Sequence, residues 1–201
     1  MKKEQDYIKD IADIRTMMER SSKFLSLSGW AGIMAGMYAL AGTFIAYNVY
    51  GFYPVDIFYV TSNLQQIIIV ALIVLALALS TAIVLSRIKA RGLEEKIWTA
   101  TSRRLVTHMA FPLVSGGVLI LIIITKGLIG LIAPLSLLFY GLALVNASKY
   151  TIDDVKILGF VQIGLGLLST YYIDYSILLW AIGFGIAHII YGFYMYIRYE
   201  K

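Results

Sequence analysis

The sequence predicts an all-α polytopic membrane protein, a bundle of six transmembrane helices preceded by an amphipathic cytoplasmic helix. Three observations predict it. Hydrophobic residues make up 60% of the 201-residue chain and charged residues only 14%, with a mean hydropathy of +0.80, far from the balance of a water-soluble domain. The apolar residues gather into six runs close to the length, about 20 residues, that about 30 Å of hydrocarbon requires at about 1.5 Å of rise per residue. The charged residues collect between the runs, and every Lys and Arg except Lys126 lies on one side of the resulting topology.

Residues 1–26 form the predicted cytoplasmic helix. Tyr7, Ile11, Ile14, Met18, Ser21 and Leu25 recur at spacings of three and four, which lays an apolar seam along one helix face. Lys9 with Asp13 and Glu19 with Lys23 set opposite charges four apart on the other side. A helix lying on a bilayer is normally rich in Lys and Arg on its polar face, whereas this one is nearly neutral. The seam of Tyr7, Ile11, Ile14, Met18 and Leu25 therefore points to docking on protein: a second copy, a cytoplasmic partner, or the chain's own loops. The acids that precede the first apolar run, and the length of that run, argue against a cleaved secretory signal.

The predicted spans are residues 27–49, 64–86, 105–125, 128–147, 155–172 and 176–197, so that residues 27–201 make one transmembrane domain. Span one carries Gly32 and Gly36 as a GxxxG pair, backed by Ser28, Gly29, Ala35, Ala39 and Gly42. Small residues let helix backbones approach closely in lipid. The basic stretch 87–104 after span two, broken near Gly92, suits anionic headgroups, with Trp98 at the interface. Pro112 and Pro134 are expected to interrupt spans three and four. Span five repeats the small-residue theme with Gly159, Gly164 and Gly166, and span six with Ala181, Gly185 and Gly192. Gly32, Gly36 and Gly185 are the expected helix-packing positions. The connections after spans three and five are a few residues long, which forces antiparallel hairpins.

Polar groups deep in an apolar run need partners, because an unpaired one costs several kcal/mol in lipid (roughly 2–7). His108, Gln162 and His188 are such groups. Gln162 and His188 lie on the two arms of one hairpin, so they can meet or face a cavity with Tyr191 and Tyr194. Gln162, His188, Tyr191 and Tyr194 are the candidate ligand or structural cluster, and histidine acting as interhelical glue is the plainer alternative.

Catalysis is not expected. Hydrolysis in a membrane needs a nucleophile beside a base, or paired acids, and no carboxylate lies in the core of a span. His108 and Ser115 sit on one helix about 10 Å apart at 1.5 Å of rise, out of contact. Asp153 and Asp154 open span five, where acids suit a helix N-terminus. Two histidines and no cysteine make a metal site unexpected, and no cofactor is predicted.

The one-sided Lys and Arg distribution orients an even number of spans with both termini cytoplasmic. The net charge of +5 is thereby used as an orientation signal, and the short mixed-charge loops lack the concentrated basic surface that nucleic-acid binding requires. The bilayer itself is the expected partner, together with a homo-oligomer or a cytoplasmic protein.

The opening KEQDYIKDIADIRTMMERSSKFLSLSGWAGIMAGMYALAG, with the six-span layout behind it, resembles a family of small bacterial inner-membrane proteins to which no activity is assigned. The resemblance implies a bacterial inner-membrane location and brings no catalytic or binding motif. Two functions are expected from the residues: a non-enzymatic regulatory or sensory module that associates through residues 4–25, or a small permease or apolar-ligand carrier with a cavity between spans one, five and six.

Overall fold

The computed structural model describes Lys23, residues 27–92 and residues 98–201. The seam residues Tyr7, Ile11, Ile14, Met18 and Leu25 lie outside the described residues, as does the middle of the basic stretch after span two. Six helices make up the described fold, with no strand among the described residues: α1 Gly29–Val49, α2 Leu64–Gly92, α3 Ala100–Thr125, α4 Ile129–Tyr150, α5 Val155–Tyr171 and α6 Ile173–Tyr199. Five of them are long and apolar enough to cross a membrane. The exception is α5, at 17 residues, which falls short of the 18-residue span expected from its sequence.

Two helices overrun the predicted spans at their charged ends. The helix α2 runs on to Gly92, and Arg87, Lys89 and Arg91 are carried on its last turns. Basic residues favour a helix C-terminus, where the carbonyl ends of the backbone dipoles gather. Likewise α3 begins at Ala100 because Thr99 and Ser102 form a capping box: Thr99 Oγ1 accepts from Ser102 N, and Thr99 N donates to Ser102 Oγ at 2.7 Å. Neither proline breaks its span. Within α4 the α-helical stretch begins at Ile132, so Pro134 occupies its first turn, where no intrahelical donor is lost. Pro112 is accommodated inside a continuous α3.

Packing follows the small residues. In the core, α4 lies on α5 along most of its length and on α3 on its other side, while α1 lies between α6 and α2. Gly29, Gly32 and Gly36 of α1 face Gly185, Ile189 and Gly192 of α6. A methyl group built at Gly36 would stand 2.6 Å from Gly185 O, and one at Gly192 would stand 2.6 Å from Ile33 N. The same closure joins α4 to α5, where a methyl at Gly141 would stand 2.7 Å from Gly159 O. These contacts are backbone to backbone, and in lipid such packing is a main source of helix association. By contrast α2 buries only Ile67 and Ala90. Much of its other apolar surface, including Ile69, Leu72, Leu75 and Leu79, is exposed.

The outer connection, residues 50–63, folds over the ends of the helices. Gly51 turns the chain with a φ of +63°, a region that glycine enters without steric cost. Phe52 then plugs between Ala46, Ile67 and Ile129, Tyr59 Oη donates to Gly51 O at 2.8 Å, and Gly130 N donates to Ile57 O at 3.1 Å.

Opposite this cap, Glu200 makes a clasp. Its Oε1 accepts from Gly29 N at 2.7 Å and from Lys89 Nζ at 3.0 Å, and Lys89 Nζ also donates to Leu27 O at 2.6 Å. One carboxylate thus caps the N-terminus of α1, where negative charge is favoured, and ties it to α2 and α6. Both charged side chains are largely buried, at 15% and 13% exposure. Replacing Glu200 by Ala leaves Gly29 N without an acceptor and the Lys89 ammonium without its counter-charge, held by Leu27 O alone. The expected loss is about 1.5–3 kcal/mol, the range for hydrogen bonds to a charged group, measured by denaturant titration in detergent against Lys201→Ala as a control.

Candidate functional site

The candidate site is built on a defect in α6. Ser176–Trp180 is α-helical, Ala181–Ala187 is π-helical and His188–Tyr199 is α-helical again. A π-turn inserts one residue into the ladder, and such turns recur at functional sites. Glycine at 183 and 185 lets the wide turn pack: a methyl at Gly183 would stand 2.6 Å from Gln162 Oε1.

Gly183 O gathers the polar side chains. Gln162 Nε2 donates to it at 2.7 Å, and His188 Nδ1 lies 2.9 Å from it. A carbonyl cannot donate, so the shorter geometry places the proton on Nδ1. His188 Nε2 is then an acceptor, and Tyr140 Oη donates to it at 2.9 Å. Gln162 Nε2 and His188 Nδ1 are also 3.4 Å apart, but both are donors in this arrangement. The amide orientation follows from the same logic, because turning it would set Oε1 against a second oxygen. Gln162 is fully buried and His188 is 6% exposed. Phe184 stacks on the imidazole at a centroid distance of 5.9 Å and a tilt of 12°.

The predicted cluster therefore divides. The structure brings Gln162 and His188 together. Tyr191 lies one turn further along α6, packed against Leu144, Val155 and Leu158, with its hydroxyl buried and unpartnered. Tyr194 turns away, 39% exposed, and joins a separate group at the helix end: Tyr194 Oη and Tyr199 Oη donate to Asp154 Oδ2 at 3.3 and 2.8 Å, and Arg198 reaches both Asp154 and Tyr194. His108 is remote from the site, stacked on Tyr150 with its Nε2 2.9 Å from Tyr150 Oη. Gly32, Gly36 and Gly185 lie in the α1–α6 contact, which leaves no room for a ligand between their backbones.

Tyr140 and Gly183 are the members that sequence reading missed. The signal for Tyr140 was its depth: it lies near the centre of its apolar run, away from the interfaces where tyrosine normally anchors. Nothing in the sequence marks Gly183 O, since a carbonyl that gathers side chains at a π-turn has no residue signature. Among the described residues no three His, Asp or Glu side chains converge as a metal ion would require. The arrangement can hold a neutral imidazole and accept or donate hydrogen bonds.

Fold and site together define a helical-bundle protein with several helices able to span a membrane and a buried histidine–glutamine–tyrosine network at its core. No protein-family model matches the chain, and no curated protein or solved structure proved similar to it.

Proposed function

We propose that the chain is a non-enzymatic six-span protein of the bacterial inner membrane, with both termini cytoplasmic, that acts as a regulatory or sensory module by associating with itself or a cytoplasmic partner through residues 4–25. The clasp carries this reading. Glu200 joins the point where residues 1–26 enter the bundle to the ends of α2 and α6, and Lys23 adds a 2.7 Å ion pair to Asp153 at the start of α5. A partner seated on the Tyr7, Ile11, Ile14, Met18 and Leu25 seam thereby pulls on several helix ends at once.

The six-span topology rests on connectivity. At 1.5 Å per residue α5 is about 25 Å long, and its short connections to α4 and α6 make it the arm that carries the chain back across. The side bearing every Lys and Arg but Lys126 is then cytoplasmic. The bacterial inner membrane follows from the family resemblance of the N-terminal stretch.

A second reading, a small permease or carrier of apolar ligands or lipids, is favoured by one observation: Gln162 Oε1 is buried without a partner beside the π-turn. In that reading the site lies between α1, α5 and α6. Native mass spectrometry of the full chain and of a variant lacking residues 2–22, both in mild detergent, separates the two. The module reading expects a defined oligomer or a stoichiometric protein partner that is lost in the shortened variant. Assembly unchanged by the deletion, with a small molecule retained by both proteins, overturns it in favour of the carrier.

A further inference from the structure

Four buried side-chain polar atoms among the described residues have no hydrogen-bond partner: Gln162 Oε1, Ser169 Oγ, Ser176 Oγ and Tyr191 Oη. All four lie on α5 and α6, and Gln162, Ser169 and Ser176 are fully buried. Their order along the hairpin is regular. The bond from Gln162 to Gly183 O sets 162 opposite 183. Seven residues along each antiparallel arm, two helical turns or about 10 Å, the same register sets Ser169 opposite Ser176. Two turns the other way the register sets Val155 opposite Ile190, and the next residue, Tyr191, packs on the cluster of Leu144, Val155 and Leu158. The orphaned atoms thus occupy three successive levels of one seam. At its outer end the 171–174 connection borders a pocket of about 480 Å³ with Asp56 and Asp174 in its wall. At its inner end stands Asp154.

Buried polar groups in lipid are almost always paired, with ordered water where protein supplies no partner. Three levels of unpaired groups on one dry interface would consume much of a protein's net stability. We propose that the α5–α6 interface is a hydrated seam that binds water at these levels, one molecule bridging Ser169 to Ser176 and others donating to Gln162 Oε1 and pairing with Tyr191 Oη. The occupant is a single-oxygen hydrogen-bond donor, because even a methyl group at Gly183 would stand 2.6 Å from Gln162 Oε1. The seam does not depend on residues 1–26, so it stands or falls apart from the module reading.

The test uses the full chain in lipid nanodiscs with Ser169→Ala, Ser176→Ala and the double variant. Neither hydroxyl has a protein partner, so each variant retains the fold. Expected is a fall in Tm of about 2–4 °C for each single variant and no further fall in the double, since both lose the same water. X-ray radiolytic labelling supplies a second measurement, in which bound water makes Tyr191 react far faster than Phe52, a buried ring away from the seam. Single variants with unchanged or raised Tm, losses that add, or a Tyr191 as protected as Phe52 overturn the proposal.

Discussion

Replacing Gly36 by leucine is expected to unfold the bundle or separate α1 from α6, and replacing it by alanine to cost about 1–3 kcal/mol, the usual range for overpacking. The reason is what the new carbon meets. At Gly36 it stands 2.6 Å from Gly185 O and 3.1 Å from Ile189 N, and backbone cannot swing aside as a side-chain end can. The whole α6 helix must shift, and it carries Gly29–Gly192 and the Glu200 clasp with it. Gly164 and Gly117 provide the opposite outcome, because nothing lies within 4 Å of a carbon built at either. Alanine there is expected to stabilise, by up to about 1 kcal/mol, through better helix propensity. Thermal or denaturant unfolding of the three alanine variants in one detergent checks the contrast. A Gly36→Ala protein as stable as Gly164→Ala would show that the α1–α6 contact is looser than the structure has it.

The second large effect is expected at the buried network. Tyr140→Phe removes the donor that satisfies His188 Nε2 at 2.9 Å and changes little else, since the ring packing against Phe184 is retained. A buried acceptor left unpaired costs about 1–3 kcal/mol. His188→Phe goes further, because it also strips a donor from Gly183 O and leaves Tyr140 Oη without its acceptor. The two losses are not independent. The double variant is expected to be less destabilised than the sum of the singles by 0.5 kcal/mol or more, about the coupling typical of residues in one hydrogen-bond network. Additive losses in a double-mutant cycle would mean that Tyr140 and His188 do not share a bond.

Much of this protein was legible in its composition. Long apolar runs between charged intervals yield membrane-length helices because the backbone has no other way to satisfy its polar groups in hydrocarbon. That requirement is local, so it can be read residue by residue, and it located all six helices. It did not foresee that α2 and α3 run six and five residues past the expected span ends, nor that both prolines leave their spans unbroken, for a related reason. Helix ends are set by caps and turns, such as Thr99 with Ser102, and by where Pro134 falls relative to the first turn.

The sequence by itself determined that the chain is helical, that several helices are long and apolar enough for a bilayer, and that glycine-rich faces and buried Gln162 and His188 would need neighbours. Only the tertiary structure decided who those neighbours are. Tyr140 reaches His188 from a helix 48 residues away, and Glu200 reaches Gly29 across 171 residues. Such pairings depend on how rigid helices are rotated and staggered against one another. The π-turn at Ala181–Ala187 resets that rotation within α6 itself, so the helical period read from sequence could not carry His188 to its partner.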